Sequence, residues 1–254
     1  PYYDNQIPAY RGAGEGISCY QCCAYQFSSL ADEDDEFDDK MLFTDGKHFS
    51  MGSWQVLSIN CPRAAYKAEG DDERLFAELK KLMDVSVEIF RIKRRWMNNI
   101  RATGRMPFAM QRPKDPNDPD MEERGPVAVD LEGLVYTIGI VGVNEMVQHH
   151  TGYQLHESRE AFNFAIRALT EMELYSQEIS QKTGMTIALA RTPAETTGQR
   201  FVIADLIDKR FRPHAEKVVK GDLEATLPEL GQKFDLPVYY TNGTHVTPGA
   251  DVPL

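Results

Sequence analysis

A long amphipathic stretch at residues 71–101 constrains this chain most. Leu75, Leu79, Leu82, Met83, Phe90, Met97 and Ile100 recur at intervals of three and four, the period that gathers apolar side chains on one face of an α-helix. Asp71 or Asp72 is placed to cap its start. A helix this long with a one-sided stripe needs an apolar partner surface, because packing rather than propensity stabilises it. Residues 158–183 repeat the pattern. Ser158 stands at the cap, Ala161, Phe162, Ala165, Leu169, Met172 and Ile179 mark the stripe, and Gly184 supplies a stop.

Short apolar segments alternate with these helices. Residues 52–62 (GSWQVLSINCP) read as a buried strand. Trp54, Val56, Ser58 and Asn60 share one face, Gln55, Leu57, Ile59 and Cys61 the other, and Pro62 ends it. Leu134 to Val141 reads as a second strand, followed by a turn at Gly142 and a short helix capped by Asn144 and closed at Gly152. Met185 to Ala190 reads as a third strand, with a helix starting near Pro193. The order loop, strand, helix, strand, helix, helix, strand, helix implies an α/β fold, a parallel sheet or barrel.

Composition narrows the function classes. The chain has 254 residues, 42% of them hydrophobic and 26% charged, which excludes a disordered chain. Its 39 acidic against 28 basic residues give a net charge of -11, so direct nucleic-acid binding is not expected. No apolar run approaches the roughly 18 residues of a membrane span, no signal peptide is recognisable, and Pro1 reads as a cut or processed end. Cys19, Cys22 and Cys23 crowd one segment while Cys61 stands apart. That clustering suggests chemistry or a metal in a reducing cytoplasm rather than a disulfide scaffold.

Several features have plain structural readings. The acidic run at 32–39 (DEDDEFDD) reads as a solvated loop without a calcium-loop pattern. His149 and His150 are neighbours on a helix, about a hundred degrees apart, so one metal is not expected to bind both. Arg91, Lys93, Arg94 and Arg95 read as a solvated face near a helix's negative end. Residues 105–127, with Pro107, Pro113, Pro116, Pro119 and Pro126, read as a surface connection. Residues 1–30, with Gly12, Gly14 and Gly16, read as an irregular segment, either floppy or a functional loop held by its surroundings.

Two places carry chemistry in their own right. Asn60 ends a strand, where parallel α/β folds place active-site groups, although an Asn there also caps turns. Residues 191–198 combine a strand end, a hydroxyl-rich turn with Thr192, Thr196 and Thr197, and a helix start. Such a turn is a natural anion cradle or an unliganded cap.

Five segments together resemble the large subunit of the anaerobic (class III) ribonucleoside-triphosphate reductases, a glycyl radical enzyme family. They are 52–63 (GSWQVLSINCPR), 133–145 (GLVYTIGIVGVNE), 151–157 (TGYQLHE), 192–198 (TPAETTG) and 240–245 (YTNGTH), in the family's order. The resemblance implies part of a ten-stranded α/β barrel built from two half-barrels. Residues 1–254 would form one partial catalytic barrel domain, with the finger-loop region at 1–30 and the second half-barrel at 45–254.

The resemblance also implies the chemistry. A thiyl radical on the finger loop takes hydrogen from C3′ of the ribose, the 2′-hydroxyl leaves as water, and a reductant completes reduction to the 2′-deoxynucleotide. Cys23 is the implied radical cysteine and Cys22 its rival, since Ala24 stands where the family usually has Arg. Asn60 matches the active-site Asn of formate-using members. Cys61 replaces a Leu and is expected to be a buried small hydrophobe pointing away from Asn60. Thr192, Pro193, Ala194, Glu195, Thr196 and Thr197 match the loop that holds the substrate phosphates.

No glycyl-radical motif and no four-cysteine zinc site occurs in this sequence. The resemblance therefore implies a fragment, inactive alone, whose radical glycine and zinc lie elsewhere. It further implies ATP and dNTP effectors, formate as co-substrate, a radical-SAM activase with an iron–sulfur cluster, a homodimer, and a cytoplasmic location with no membrane contact. Two alternatives are a pyruvate formate-lyase-like acyl-transferring enzyme, which has no use for a triphosphate turn, and a zinc-binding module built on Cys19 and Cys22.

Overall fold

The computed structural model describes residues 17–21, 25–28, 53–110, 131, 134–191, 195–233, 235–241, 245–247 and 250–251. The chain divides into two compact units, one of residues 1–54 and 91–135, the other of 55–90 and 136–254.

In the first unit, β1 (Ile17–Gln21) and β2 (Tyr25–Ser28) form an antiparallel pair, with Cys19 opposite Phe27 and Gln21 opposite Tyr25. The sequence reading had no regular structure here. Tyr20, Tyr25 and Phe27 are strand-forming residues in segments too short to show a period. Cys22 and Cys23 belong to the connection between these strands and lie outside the described residues.

The second unit holds most of the α/β layer. Strands β3 (Ser53–Asn60), β4 (Val135–Val141) and β5 (Ile187–Ala190) form one sheet in that order, which matches the expected strand positions. β4 and β5 are parallel, with Tyr136 opposite Ile187 and Gly139 opposite Ala190. β4 is the central strand and is buried from Tyr136 to Val141. β3 is buried only at Ile59 and Asn60, and Val56 is exposed, so it is not the fully buried strand its composition suggested.

The largest departure comes directly after β3. Cys61 does not continue the strand, because α1 (Cys61–Ala68) begins there. Asn60 is its N-cap, accepting a hydrogen bond from the Arg63 N–H at 3.2 Å through Oδ1. Pro62 falls in the first turn, where its missing N–H costs nothing. A proline that looks like a strand terminator is here a helix initiator, and Cys61 is fully buried as the helix's first residue. Glu69 closes α1 in the left-handed region at φ 55°.

The long helices follow the expected limits closely. α2 spans Asp72–Ala102 and is capped by Asp71, whose carboxylate accepts from the Arg74 N–H at 2.8 Å. Leu75, Leu79, Met83 and Phe90 are buried as expected, joined by Phe76, Ser86 and Val87, whereas Leu82, Met97 and Ile100 are only half-buried. Arg91 and Arg95 are exposed. α3 (Val143–Thr151) follows Gly142, and α4 (Arg159–Thr183) is capped by the Ser158 hydroxyl and closed by Gly184. Three alanines, Ala161, Ala165 and Ala168, line the buried face of α4. Among the described residues, no helix is long and apolar enough to cross a membrane.

α5 (Glu195–Ile207) follows β5, and after it come the short helices α6 (Arg212–Ala215) and α7 (Leu223–Thr226). β6 (Lys220–Gly221) pairs antiparallel with β7 (Val238–Tyr239), and β8 (His245–Thr247) with β9 (Ala250–Asp251). The segment leaving β7 passes between two helix starts. Gly142 N–H donates to the Thr241 carbonyl at 2.8 Å, and Tyr240 N–H donates to the Gly198 carbonyl at 3.4 Å.

Two glycines make this passage possible. A Cβ on Gly198 would lie 2.5 Å from the Tyr240 carbonyl oxygen, and one on Gly142 would lie 2.6 Å from Pro62 Cγ, where φ is also +76°. Gly198→Ala is expected to destabilise the fold by about 1–3 kcal/mol, since a backbone atom must move to admit the methyl group. Urea unfolding of the two proteins measures it, and equal midpoints would contradict the close approach.

Candidate functional site

The carboxyl end of β3 opens into a polar cluster within the second unit. Asn60 is 7% exposed. Its Oδ1 is used by the α1 cap, and its Nδ2 donates to Asp205 Oδ2 at 2.8 Å. Asp205 is fully buried on α5. Its Oδ1 accepts from Arg63 Nε at 2.7 Å and also from Arg63 Nη2, and its Oδ2 accepts from the Tyr240 hydroxyl at 2.9 Å. Three residues thus close a ring. Arg63 holds Asn60 through its backbone and Asp205 through its side chain, while Asp205 holds the Asn60 amide. The Arg63 guanidinium also lies 4.9 Å from the centre of the Phe211 ring, a cation–π arrangement.

The cluster continues through aromatic groups. The Tyr66 and Tyr240 hydroxyls are 2.8 Å apart. Burial and the nearby Asp205 carboxylate raise both phenols well above their usual range, so both are neutral donors. The Tyr66 ring stacks on His214 at 5.4 Å and meets His149 edge-on at 4.8 Å. His149 Nε2 and His214 Nδ1 are 2.9 Å apart. Burial and then the His214 neighbour push His149 down to about 4. His150 turns instead to Asp72 Oδ1 at 2.8 Å. The adjacent histidines therefore serve different partners, as their helical spacing requires.

A second buried carboxylate sits at the start of α3. Glu145 Oε2 accepts from the Thr241 N–H at 3.0 Å and its hydroxyl at 2.7 Å. Complete burial raises its pKa, and Thr241 and Lys220 oppose that rise. Lys220 donates to Gln148 at 2.7 Å and Gln154 at 2.9 Å, and partial burial lowers its own pKa. Asn144, expected as the α3 cap, is a tertiary anchor instead. Gly142 holds the cap position, and Asn144 accepts from the Leu155 N–H at 3.1 Å while donating to Gln154 at 3.1 Å.

Of the residues singled out in the sequence, Asn60 lies at the centre of this cluster. Thr196 is exposed and Thr197 half-buried in the first turn of α5, which Glu195 opens. Thr192, Pro193 and Ala194 lie outside the described residues, as do Cys22 and Cys23. Cys61 is buried as expected, and burial pushes its thiol up to about 12, which leaves it unreactive. Among the described residues, no group of three His, Cys, Asp or Glu side chains could hold a metal.

Sequence reasoning missed Asp205, Arg63, Tyr66 and Glu145 as structural centres. The signal for Asp205 was present: it is the one charged residue in the apolar run 201–207 (FVIADLI), where an acid that shares a helix with core side chains needs a buried partner.

The family described as anaerobic ribonucleoside-triphosphate reductase matches residues 1–254. The chain belongs to that family. It is similar in fold to the anaerobic ribonucleotide reductase of Thermotoga maritima. One crystal structure, with citrate in the active site, gives a TM-score of 0.53 at 18% identity, covering 65% of this chain and 28% of that one. A second, with glycerol in the active site, gives 0.51 at 19%, covering 63% and 25%. A third, in complex with dATP and CTP, gives 0.51 at 18%, covering 64% and 26%. The chain thus spans about a quarter of the length of those proteins. No curated protein matches the sequence.

Two outcomes follow from the titrating groups. The folded-state pKa of Glu145 lies above its unfolded value of about 4.3, so its protonated form favours folding. The stability of the wild type relative to Glu145→Gln is expected to be constant below the unfolded value and to fall as pH rises through the folded one. Unfolding curves across pH measure the difference, and a gap that widens in the wild type's favour as pH rises would contradict it. The His149 imidazole is expected to titrate near pH 4 by NMR, and a midpoint near the ordinary histidine value would show that it is not buried against His214.

Proposed function

We propose that this chain forms part of the catalytic subunit of an enzyme that reduces ribonucleoside triphosphates to 2′-deoxyribonucleoside triphosphates under anaerobic conditions, for DNA synthesis. The family match over the whole chain carries this reading. Asn60 supports it locally. It is a neutral, buried amide at the carboxyl end of a strand, held on two sides, as a group that hydrogen-bonds ribose hydroxyls or formate needs to be.

In this reading Cys23, with Cys22 beside it, carries the thiyl radical that takes the C3′ hydrogen. Residues 192–197 bind the triphosphate, and the first-turn amides of α5 add donors of the kind that favour anions. The architecture is the second half of a ten-stranded barrel, with residues 1–30 as the finger loop. A glycyl radical outside this sequence would supply the oxidising equivalent when formed. Formate, a radical-SAM activase with an iron–sulfur cluster, dNTP effectors, a distant structural zinc, a homodimer and a cytoplasmic setting belong to the same proposal. The activity is that of the whole enzyme, of which this chain covers a part.

Anaerobic assay of the complete, activated protein tests it. Cys23→Ala is expected to reduce deoxynucleotide formation to background, and Asn60→Ala to impair it severely. Cys61→Ala is expected to retain it, because that thiol is buried and protonated. Full activity in variants of both Cys22 and Cys23 would overturn the radical assignment.

A further inference from the structure

We propose that Asp205 is a positioning residue that fixes which way the Asn60 amide faces, and so which of its hydrogen-bonding groups a ligand meets. This rests on the reading of Asn60 as an active-site group. An asparagine side chain has two donor hydrogens and two acceptor lone pairs, and its two ends are easily exchanged by a flip about the terminal bond. Here the flip is blocked from both ends. Oδ1 must accept from the Arg63 N–H, and Nδ2 must donate to Asp205. A flipped amide would set its oxygen against a carboxylate oxygen and its NH2 against an N–H.

Asp205 is itself immobilised. It is fully buried, gripped by Arg63 on one oxygen and by Tyr240 on the other, and Tyr240 is backed by Tyr66. Hydrogen bonds to an ionised group are the stronger kind, so the carboxylate imposes its preference on the neutral amide rather than the reverse. What remains on Asn60 among the described residues is one N–H and one lone pair, on fixed sides. The structure therefore assigns Asp205, which is fully buried, an indirect part in recognition.

The complete enzyme tests this with Asn60→Ala, Asp205→Asn, the double variant Asn60→Ala/Asp205→Asn, and the exchange Asn60→Asp/Asp205→Asn. Asp205→Asn is expected to lower kcat about 10- to 100-fold, the equivalent of one charge-assisted hydrogen bond, with the nucleotide KM little changed. Adding it to Asn60→Ala is expected to cost nothing further, because the amide it orients is gone. The exchange variant rebuilds the ring with its polarity reversed. It is expected to recover thermal stability relative to Asp205→Asn without recovering turnover. Losses that multiply in the double variant, or an exchange variant with wild-type turnover, would overturn the positioning role alone. Full activity in Asn60→Ala would overturn the reading of Asn60 and this proposal with it. If Asp205→Asn does not fold, the exchange variant decides by the same criterion.

Discussion

A fully buried carboxylate is tolerated only where donors replace the water it has lost. Asp205 sets that condition for the second unit. Its donors come from Asn60 and Arg63, far earlier in the chain, and from Tyr240, well after it. Until the start of α1 and the segment leaving β7 are both in place beside α5, the charge has no complete shell. The carboxylate therefore links the start of α1, the body of α5 and the exit of β7 in one all-or-none arrangement. Removing one of its donors leaves a fully buried carboxylate short of a partner, at a cost on the order of 1–3 kcal/mol, more than an exposed ion pair such as Arg74 with Glu69 contributes.

The segment at Tyr240 and Thr241, directly after β7, is the second common element. Tyr240 serves Asp205 and Thr241 serves Glu145, so consecutive residues serve both buried acids. The same two residues exchange backbone hydrogen bonds with Gly142 and Gly198. Four of the five segments behind the family resemblance thus meet here. The ends of 52–63 and 133–145 and Gly198 at the end of 192–198 are each in contact with the opening of 240–245 or one residue removed from it. The glycines in two of those segments are explained by space, since a side chain on Gly198 would occupy the room of the Tyr240 carbonyl and one on Gly142 the room of the Pro62 ring.

The sequence revealed the periodic elements well. α2 and α4 were legible because each repeats its apolar spacing over many turns and carries a recognisable cap, Asp71 in one and Ser158 in the other. α1 was not legible. It is short, it opens on Cys61 and Pro62, and its cap is the last residue of a strand, so local signals favoured a strand end. Asn144 misled for a related reason. Its side chain suits a cap, but a glycine in the left-handed region already turns the chain there, which frees the amide for Leu155 and Gln154. Asn60 was read either as a cap or as a site group, and the structure shows the cap, which uses one lone pair of an amide that has three other hydrogen-bonding positions. Its partner Asp205 lies 145 residues away, beyond the reach of any local pattern.

The identity of residue 60 follows from that partner. An aspartate would cap α1 equally well, but it would place a second carboxylate within hydrogen-bond distance of Asp205 in a buried setting. Two acids so arranged cannot both ionise, and one would hold a proton whose position shifts with its surroundings. An amide removes that ambiguity. It donates to Asp205, accepts from Arg63, and stays neutral at every pH at which the protein is folded.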